Sequence, residues 1–179
     1  NWLGGLEVAN GDYYYPLAHR WCLDQKLTLI GNSDIHDPSY FYPYTADRHR
    51  TLTLVFARER SVESIQEALF AGHTAVWHKN RLIGRQEYLE PLFHASVTFS
   101  QPQPKEDGTF VAEIKNTALI DLELQTEGTV TPLRATVPAR STVSITTPVP
   151  FTSDHPAILQ YQVINFLIAP DQGLPVTIE

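Results

Sequence analysis

The sequence contains no methionine, and it begins with Asn1. We therefore expect that residues have been removed upstream, either with a signal peptide or by truncation of a longer protein. There is one cysteine, Cys22, so no internal disulfide can form. A single cysteine fits a reducing compartment without requiring one. Cys22 stands between Trp21 and Leu23, a context typical of a buried small apolar side chain.

Long apolar runs and clusters of positive charge are also missing. No run approaches the length of a membrane span and no secretory signal is visible, so we expect a soluble protein of the cytoplasm or periplasm. The 13 Lys and Arg against 20 Asp and Glu give a net charge of −7. Nucleic acid and anionic membrane are therefore disfavoured as partners. A phosphate substrate stays compatible with this charge, because bound divalent cations can reverse the local field.

Two common catalytic motifs are absent: a Gly-rich phosphate loop of the P-loop or dinucleotide type, and a Gly-x-Ser-x-Gly elbow. The 179 residues suit one ordinary domain or two small ones. A hydrophobic content of 42% and a charged content of 18% are globular values. The chain is therefore expected to fold, without the nucleotide-loop or serine-hydrolase chemistry that those two motifs mark.

The first half of the chain alternates apolar runs with segments of helical spacing. The predicted strands are residues 6–9, 27–30, 52–57 and 74–77, and the predicted helices are residues 16–25, 63–71 and 85–93. Ser61 is expected to cap the second helix and Gly72 to end it. Strands that alternate with helices favour a parallel sheet, either open or barrel-like.

The second half changes character after a Pro- and Gln-rich stretch at residues 100–104, which reads as a turn or linker. Apolar and polar residues then alternate with period 2. The alternating segments are residues 110–114, 120–124, 143–145, 161–163 and 174–178. Short strands at this spacing predict a small antiparallel β-sandwich of immunoglobulin-like size. The fold class is thus α/β followed by all-β, with domains at 1–93 and 94–179.

The most informative segment follows the apolar run at residues 27–30. It contains Asp34 and His36, two residues apart, at the end of a predicted strand, where active sites of α/β folds form. A carboxylate and an imidazole on the same side suit Zn²⁺, Mn²⁺ or Fe²⁺, and Asn32 and Ser33 could support them by hydrogen bonds. Alternatively, His36 caps a turn and Asp34 accepts hydrogen bonds from loop amides.

Residues 5–11 and 31–36 together resemble the final two strand ends of the PHP (polymerase and histidinol phosphatase) family of metal-dependent phosphoesterases. In that family, a segment like Asn32-Ser33-Asp34-Ile35-His36 supplies the last metal ligands. Segments 53–61, 63–70, 74–77 and 82–85 resemble the tail of bacterial PHP proteins that continue into a small β domain. The resemblance covers most of residues 1–93 and implies the C-terminal part of a PHP-type (β/α) barrel.

The resemblance implies that Asp34 and His36 are metal ligands. Glu7, on the preceding strand, is expected either to be structural or to support the site by hydrogen bonds, and Asn10 is a further candidate for such support. The resemblance also implies that the site is incomplete. The family's His-x-His pair and its middle-strand ligands have no counterpart here, because the other histidines are scattered along the chain. We therefore expect divalent metal (Zn, Mn or Fe) in the intact parent protein, and weak or no metal binding by this chain alone.

Residues after the motif provide candidates for substrate contacts. Arg48, His49 and Arg50 could hold a substrate phosphate, or could form a solvated charged loop that pairs with Asp47 and Glu59. The tyrosines at 13–15 and 40–44 could line a pocket, although packing of loops is the simpler reading.

Two hypotheses on function follow. In the first, the chain is part of a metal-dependent phosphoesterase that acts on a phosphorylated small molecule or nucleotide and is inactive alone. In the second, it is a non-catalytic binding or assembly module built on the β-sandwich. A barrel fragment would expose strand edges, so a homo-oligomer is also expected.

Overall fold

The computed structural model describes residues 3–36, 49–126, 134–147 and 159–178. The chain divides into two compact units, one of residues 1–89 with 166–172 and the other of residues 90–165 with 173–179. Strand content is higher than helix content in the described residues. No helix in these residues is long and apolar enough to cross a membrane.

The first unit contains two groups of strands and two helices, followed by the start of a third helix. In chain order these elements are β1 (Gly5–Asn10), β2 (Tyr13–Tyr14), α1 (Pro16–Asp24), β3 (Thr28–Asn32), β4 (Leu52–Val55), α2 (Val62–Ala71), β5 (Thr74–His78), β6 (Arg81–Gly84) and α3 (Gln86–Ser96). All three predicted helices are therefore present, within one to three residues of their expected ends.

Strands β1 and β3 form the parallel pair that the apolar run at residues 27–30 predicts. Strand β2 adds to β1 in the antiparallel sense and completes a sheet with the order β2-β1-β3. Buried residues of β1, α1 and β3 fill the core beside this sheet, and Cys22 is among them, as its sequence context indicates. The core includes Val8, Ala9, Cys22, Leu27 and Leu29.

Strands β4, β5 and β6 differ from the expectation, because they pair antiparallel in sequence order. The alternation of strands and helices favoured a parallel sheet, but β5 and β6 are joined by a tight turn at Lys79 and Asn80 that allows only antiparallel pairing. Residues Phe166 and Leu167 then pair with β6 in the parallel sense. Two parallel pairings, β1 with β3 and β6 with residues 166–167, are thus present in the described residues, and the barrel itself stays a prediction.

Threonine hydroxyls join the β1–β3 pair to the strands beside it. Thr53 Oγ1 donates to the Gly31 carbonyl at 2.8 Å, and Thr74 Oγ1 donates to the Leu29 carbonyl at 2.8 Å. Each hydroxyl satisfies a main-chain acceptor that lies outside the regular ladder, and such buried acceptors are costly to leave unpaired. The side-chain bonds therefore fix the position of β3 over β4 and β5.

The second unit is a two-layer β structure. Its elements are β7 (Val97–Phe99), β8 (Gln103–Pro104), β9 (Phe110–Asn116), β10 (Leu122–Gln125), β11 (Arg134–Val137), β12 (Ser141–Thr147), β13 (Leu159–Ala169) and β14 (Gln172–Ile178). One sheet contains β12, β9, β7 and β8, and the other contains β11, β10, β13 and β14. Alternate residues such as Ile114, Leu122 and Val163 are fully buried, as the period-2 pattern predicts.

Candidate metal centre

The carboxyl ends of β1 and β3 lie side by side, with Asn10 opposite Asn32 in the parallel register. The Glu7 carboxylate accepts a hydrogen bond from Asn10 Nδ2 at 2.9 Å and another from Asn32 Nδ2. The Gly11 amide donates to the Asn32 carbonyl at 2.9 Å. Glu7 therefore ties together the two strand ends from which the candidate ligand segment emerges.

The orientation of the Asn10 amide is fixed by these contacts. Because Nδ2 faces the Glu7 carboxylate, Oδ1 must point away from it. That oxygen is buried and has no hydrogen-bond partner in the described part of the chain. A buried acceptor without a donor costs roughly 1–3 kcal/mol, so the strand end carries some unrelieved polar cost.

Asp34 and His36 lie just beyond β3, and the structure brings their side chains together. Asp34 Oδ1 and His36 Nε2 are 3.3 Å apart, with 60% of the Asp34 side chain and 89% of the His36 side chain exposed. Two ligand atoms about 2.0–2.1 Å from a tetrahedral metal lie roughly 3.3–3.4 Å apart. The pair thus has the spacing of two adjacent positions around one metal ion, and it is also short enough to be an ion pair when His36 is protonated.

The backbone at Asp34 is left-handed, with φ of 51°. The segment has therefore left the extended strand geometry that the two-residue spacing assumed, although both side chains still meet. Aspartate is one of the residues that tolerate this conformation, because its short side chain can hydrogen-bond locally. Asp34 lies against the turn after β1, since a Cβ atom built on Gly11 would be 3.5 Å from Asp34 Cβ.

The residues present fit part of a metal site. Across residues 3–36, 49–126, 134–147 and 159–178, no group of three or more His, Cys, Asp or Glu side chains could hold a metal ion. Catalytic zinc sites keep three protein ligands and one open position. Asp34 and His36 supply two such ligands, and Glu7 is already engaged by two asparagine amides.

Among the predicted substrate-contact residues, His49 contacts main-chain carbonyls and an aromatic ring. His49 Nδ1 lies 2.7 Å from the Arg50 carbonyl, and Nε2 lies 2.8 Å from the Lys79 carbonyl. The ring also stacks on Trp77, with 3.9 Å between centroids. Through these contacts the His49 side chain links its own segment to the turn at Lys79, which is a structural role. Arg48 lies outside the described residues, so the role of residues 48–50 in substrate binding stays a prediction.

The sequence did not single out Thr51 and His78, which the structure joins to each other and, through Thr51, to the Gly11 carbonyl in the turn after β1. Thr51 is 5% exposed and His78 is 2% exposed. Their side chains are joined by a 2.9 Å bond between Thr51 Oγ1 and His78 Nδ1. Burial lowers the pKa of His78, and the positive charges of Lys79 and Arg81 lower it further. No local motif marks this pair, because the two residues are 27 positions apart.

A comparison with protein families identifies the type of the C-terminal domain. Residues 96–179 match a family of Ig-like domains, DUF5001. This match agrees with the predicted immunoglobulin-like sandwich at the C-terminal end. Nothing among curated proteins matches the chain.

A solved structure from Bacteroides vulgatus is similar over 98% of this chain, at 34% sequence identity and with a TM-score of 0.85. It is the crystal structure of a two-domain protein that contains a predicted PHP-like metal-dependent phosphoesterase. The present chain spans about half of that protein's length, since the match covers 52% of it. The similarity thus extends beyond the Ig-like domain to the unit that carries Asp34 and His36.

Proposed function

We propose that this chain is part of a metal-dependent phosphoesterase, to which it contributes Asp34 and His36 as two metal ligands. The observation that carries the proposal is the 3.3 Å separation of the two exposed ligand atoms at the end of a parallel strand. The 34% identity with the PHP-like protein, over nearly the whole chain, supports it. The remaining ligands would come from polypeptide outside the 179 residues, and the chain alone would be inactive.

The roles of the residues follow from their chemistry. A divalent ion of Zn, Mn or Fe held there would supply Lewis-acid chemistry towards a phosphoryl oxygen and a water. Asp34 and His36 bind the ion and thus act as ligands rather than as proton carriers. Glu7, Asn10 and Asn32 hold the two strand ends together by hydrogen bonds, and Ser33 is a supporting residue on the ground of the sequence alone. The substrate would be a phosphorylated small molecule or nucleotide.

Substitution of the two ligands in the full-length protein tests the proposal. Asp34→Asn replaces the anionic carboxylate donor by a weaker neutral amide of the same shape, and His36→Asn removes the imidazole nitrogen. We expect each variant to lose metal measured by elemental analysis, and to lose at least about 100-fold in metal-dependent phosphate release from p-nitrophenyl phosphate, as removal of a direct ligand exceeds the effect of outer-shell changes.

Two exposed residues of the same types provide matched controls. Asp24→Asn at the end of α1 and His94→Asn in α3 change charge and titration without touching the site. Both controls are expected to keep wild-type metal content and activity. Retention of metal and activity by both ligand variants would refute the proposal.

The second candidate, a non-catalytic binding or assembly module, is favoured by the Ig-like match and by the absence of a three-ligand group in the described residues. The large exposed side chains Leu17, Trp21 and Phe70, which are 82%, 64% and 83% exposed, would also support association between copies. This candidate predicts that the full-length protein contains no stoichiometric divalent metal, which the same elemental analysis decides.

A further inference from the structure

The turn after β1 is held from two sides. On one side, the Gly11 amide donates to the Asn32 carbonyl of β3 at 2.9 Å. On the other side, the Gly11 carbonyl accepts a 2.7 Å hydrogen bond from Thr51 Oγ1. Both main-chain polar groups of Gly11 are therefore fixed, in a residue whose φ of +55° favours glycine.

Thr51 is in turn fixed by His78. The Thr51 hydroxyl proton is used in the bond to Gly11, so Oγ1 can only accept from His78, which must carry its proton on Nδ1. Both side chains are buried, so water cannot readily replace either bond. The result is a chain of two hydrogen bonds, from His78 of β5 to Thr51 and from Thr51 to the Gly11 carbonyl, in which the donor and acceptor of each bond are fixed.

Gly11 lies directly against the candidate ligand segment. A Cβ atom added to Gly11 would be in van der Waals contact with the segment, at 3.5 Å from Asp34 Cβ and 3.8 Å from the Ser33 carbonyl oxygen. Asp34 has a left-handed backbone and an exposed side chain, so its position depends on what the adjacent turn permits. A shift of Gly11 therefore changes the surface on which Asp34 rests.

We propose that Thr51, supported by His78, is a positioning residue that holds the Gly11 turn so that Asp34 and His36 present their ligand atoms at metal-binding separation. The inference rests on the proposed function, because it assigns Thr51 a role in the same metal centre. Thr51 touches neither ligand, so it acts only through Gly11. Residues that hydrogen-bond a metal ligand commonly change metal affinity by about 10–100-fold when removed. Thr51 acts one contact further out, so we expect an effect near the lower end of that range.

Another threonine separates positioning from general stability. Thr74 is fully buried and donates a 2.8 Å bond to the Leu29 carbonyl, in the middle of β3 rather than at its end. Thr74→Val and Thr51→Val each remove a bond from a hydroxyl to a main-chain carbonyl, and Thr51→Val also removes the acceptor of His78 Nδ1. Only the bond of Thr51 lies beside the ligand segment.

The experiment uses the full-length protein loaded with Co²⁺ in place of the resident metal. Thr51→Val is expected to weaken Co²⁺ binding about ten-fold or more and to alter the visible d–d absorption, which reports ligand geometry. Thr51→Ser keeps the hydroxyl and is expected to restore both the affinity and the spectrum. Thr74→Val removes one of these bonds rather than two, so it is expected to lower the Tm by less than Thr51→Val while leaving both Co²⁺ readouts at wild type.

Three outcomes would overturn the inference: an unchanged Co²⁺ affinity in Thr51→Val, an equal loss in Thr74→Val, or a failure of Thr51→Ser to recover. Asp34→Asn measured in the same titration keeps this inference separate from the proposed function. If Asp34→Asn weakens Co²⁺ binding and Thr51→Val does not, only the positioning role is lost. If Asp34→Asn has no effect, the metal centre itself is misplaced, and the positioning role falls with it.

Discussion

His19 is fully buried at the middle of α1, in contact with Tyr14. Its Nδ1 atom lies 2.9 Å from the Tyr14 hydroxyl, whereas Nε2 is buried and has no hydrogen-bond partner in the described residues. Burial lowers the pKa of His19 to about 4, and the positive charges of Arg20 and Arg85 act in the same direction. The ring is therefore neutral in the folded protein at pH 7.

The depressed pKa predicts that folding stability falls on mild acidification. Unfolded His19 titrates near 6.5, so between about pH 6.5 and pH 4 the unfolded chain binds the proton more readily than the folded one. The stabilisation is complete above pH 6.5 and is lost progressively towards pH 4, by up to about 3 kcal/mol. Urea unfolding followed by circular dichroism at pH 7.5, 6.0 and 5.0 measures this loss.

A matched pair of variants isolates the contribution of His19. His19→Asn keeps a polar atom near Nδ1 for Tyr14 but does not titrate, so its stability should vary less between pH 6.5 and 5 than that of the wild type. His94→Asn, which changes an exposed histidine, should keep the full dependence. An identical pH slope in wild type and His19→Asn would show that another group is responsible.

Single residues also show which contacts can be predicted from the sequence. The two-residue spacing was enough to predict that Asp34 and His36 meet, and they do, although the backbone between them is not extended. The contacts of Thr51 with Gly11 and His78 had no such signal, because they join positions 40 and 27 residues apart. Long-range pairs of this kind depend on how the strands stack, which periodicity does not specify.

Helix α2 shows what local chemistry specifies at the scale of an element. Ser61 has an extended backbone and its side chain accepts a hydrogen bond from the Ser64 amide at 3.2 Å, while Gly72 ends the helix with φ of 74°. Both ends were predicted from residue type alone, and both are confirmed. A Ser cap satisfies an otherwise unpaired amide, and glycine adopts the left-handed C-terminal conformation without strain.

The cap makes a direct prediction about stability. Ser61→Ala removes the acceptor for the Ser64 amide and should lower the free energy of unfolding by about 1 kcal/mol. Ser61→Asp keeps an acceptor and adds a favourable charge at the helix N-terminus, so it should equal or exceed the wild type. Chemical denaturation of the three proteins is the measurement, and a neutral effect of Ser61→Ala would mean that solvent replaces the cap.

The pairing of the strands was harder to predict from the sequence than their positions in the chain. β6 spans four residues between Asn80 and Arg85, too short for alternation to stand out, and it was not predicted. Without it, β5 followed by α3 looked like another strand–helix unit of a parallel sheet. The β5–β6 hairpin instead buries Val76 and Ile83 on neighbouring antiparallel strands. The missed strand β6 accounts for the direction of the β5–β6 pair, whereas β4 and β5 pair antiparallel although helix α2 lies between them in the chain.

At the scale of the whole molecule, the two units differ in the kind of evidence that bears on their function. The second unit has a sandwich whose core follows from alternation alone, and residues 96–179 match Ig-like domains. The first unit has a polar strand edge with the two candidate ligands side by side, and the similar solved structure is about twice as long as the matched region. The proposed chemistry would therefore draw on the first unit together with ligands from polypeptide beyond this chain.

This dependence predicts different metal affinities for two forms of the protein. The 179-residue chain offers Asp34 and His36, whereas a catalytic site requires at least three ligands, so the chain alone should bind Co²⁺ at least about 100-fold more weakly than the full-length protein. Titration of both forms with Co²⁺ at pH 7.5 measures the difference in affinity, and the Asp34→Asn variant of each form gives the binding that does not depend on Asp34. Ligands act together around one ion, so Asp34→Asn should reduce affinity far more in the full-length protein. Tight stoichiometric binding by the 179 residues would instead place a complete site within this chain.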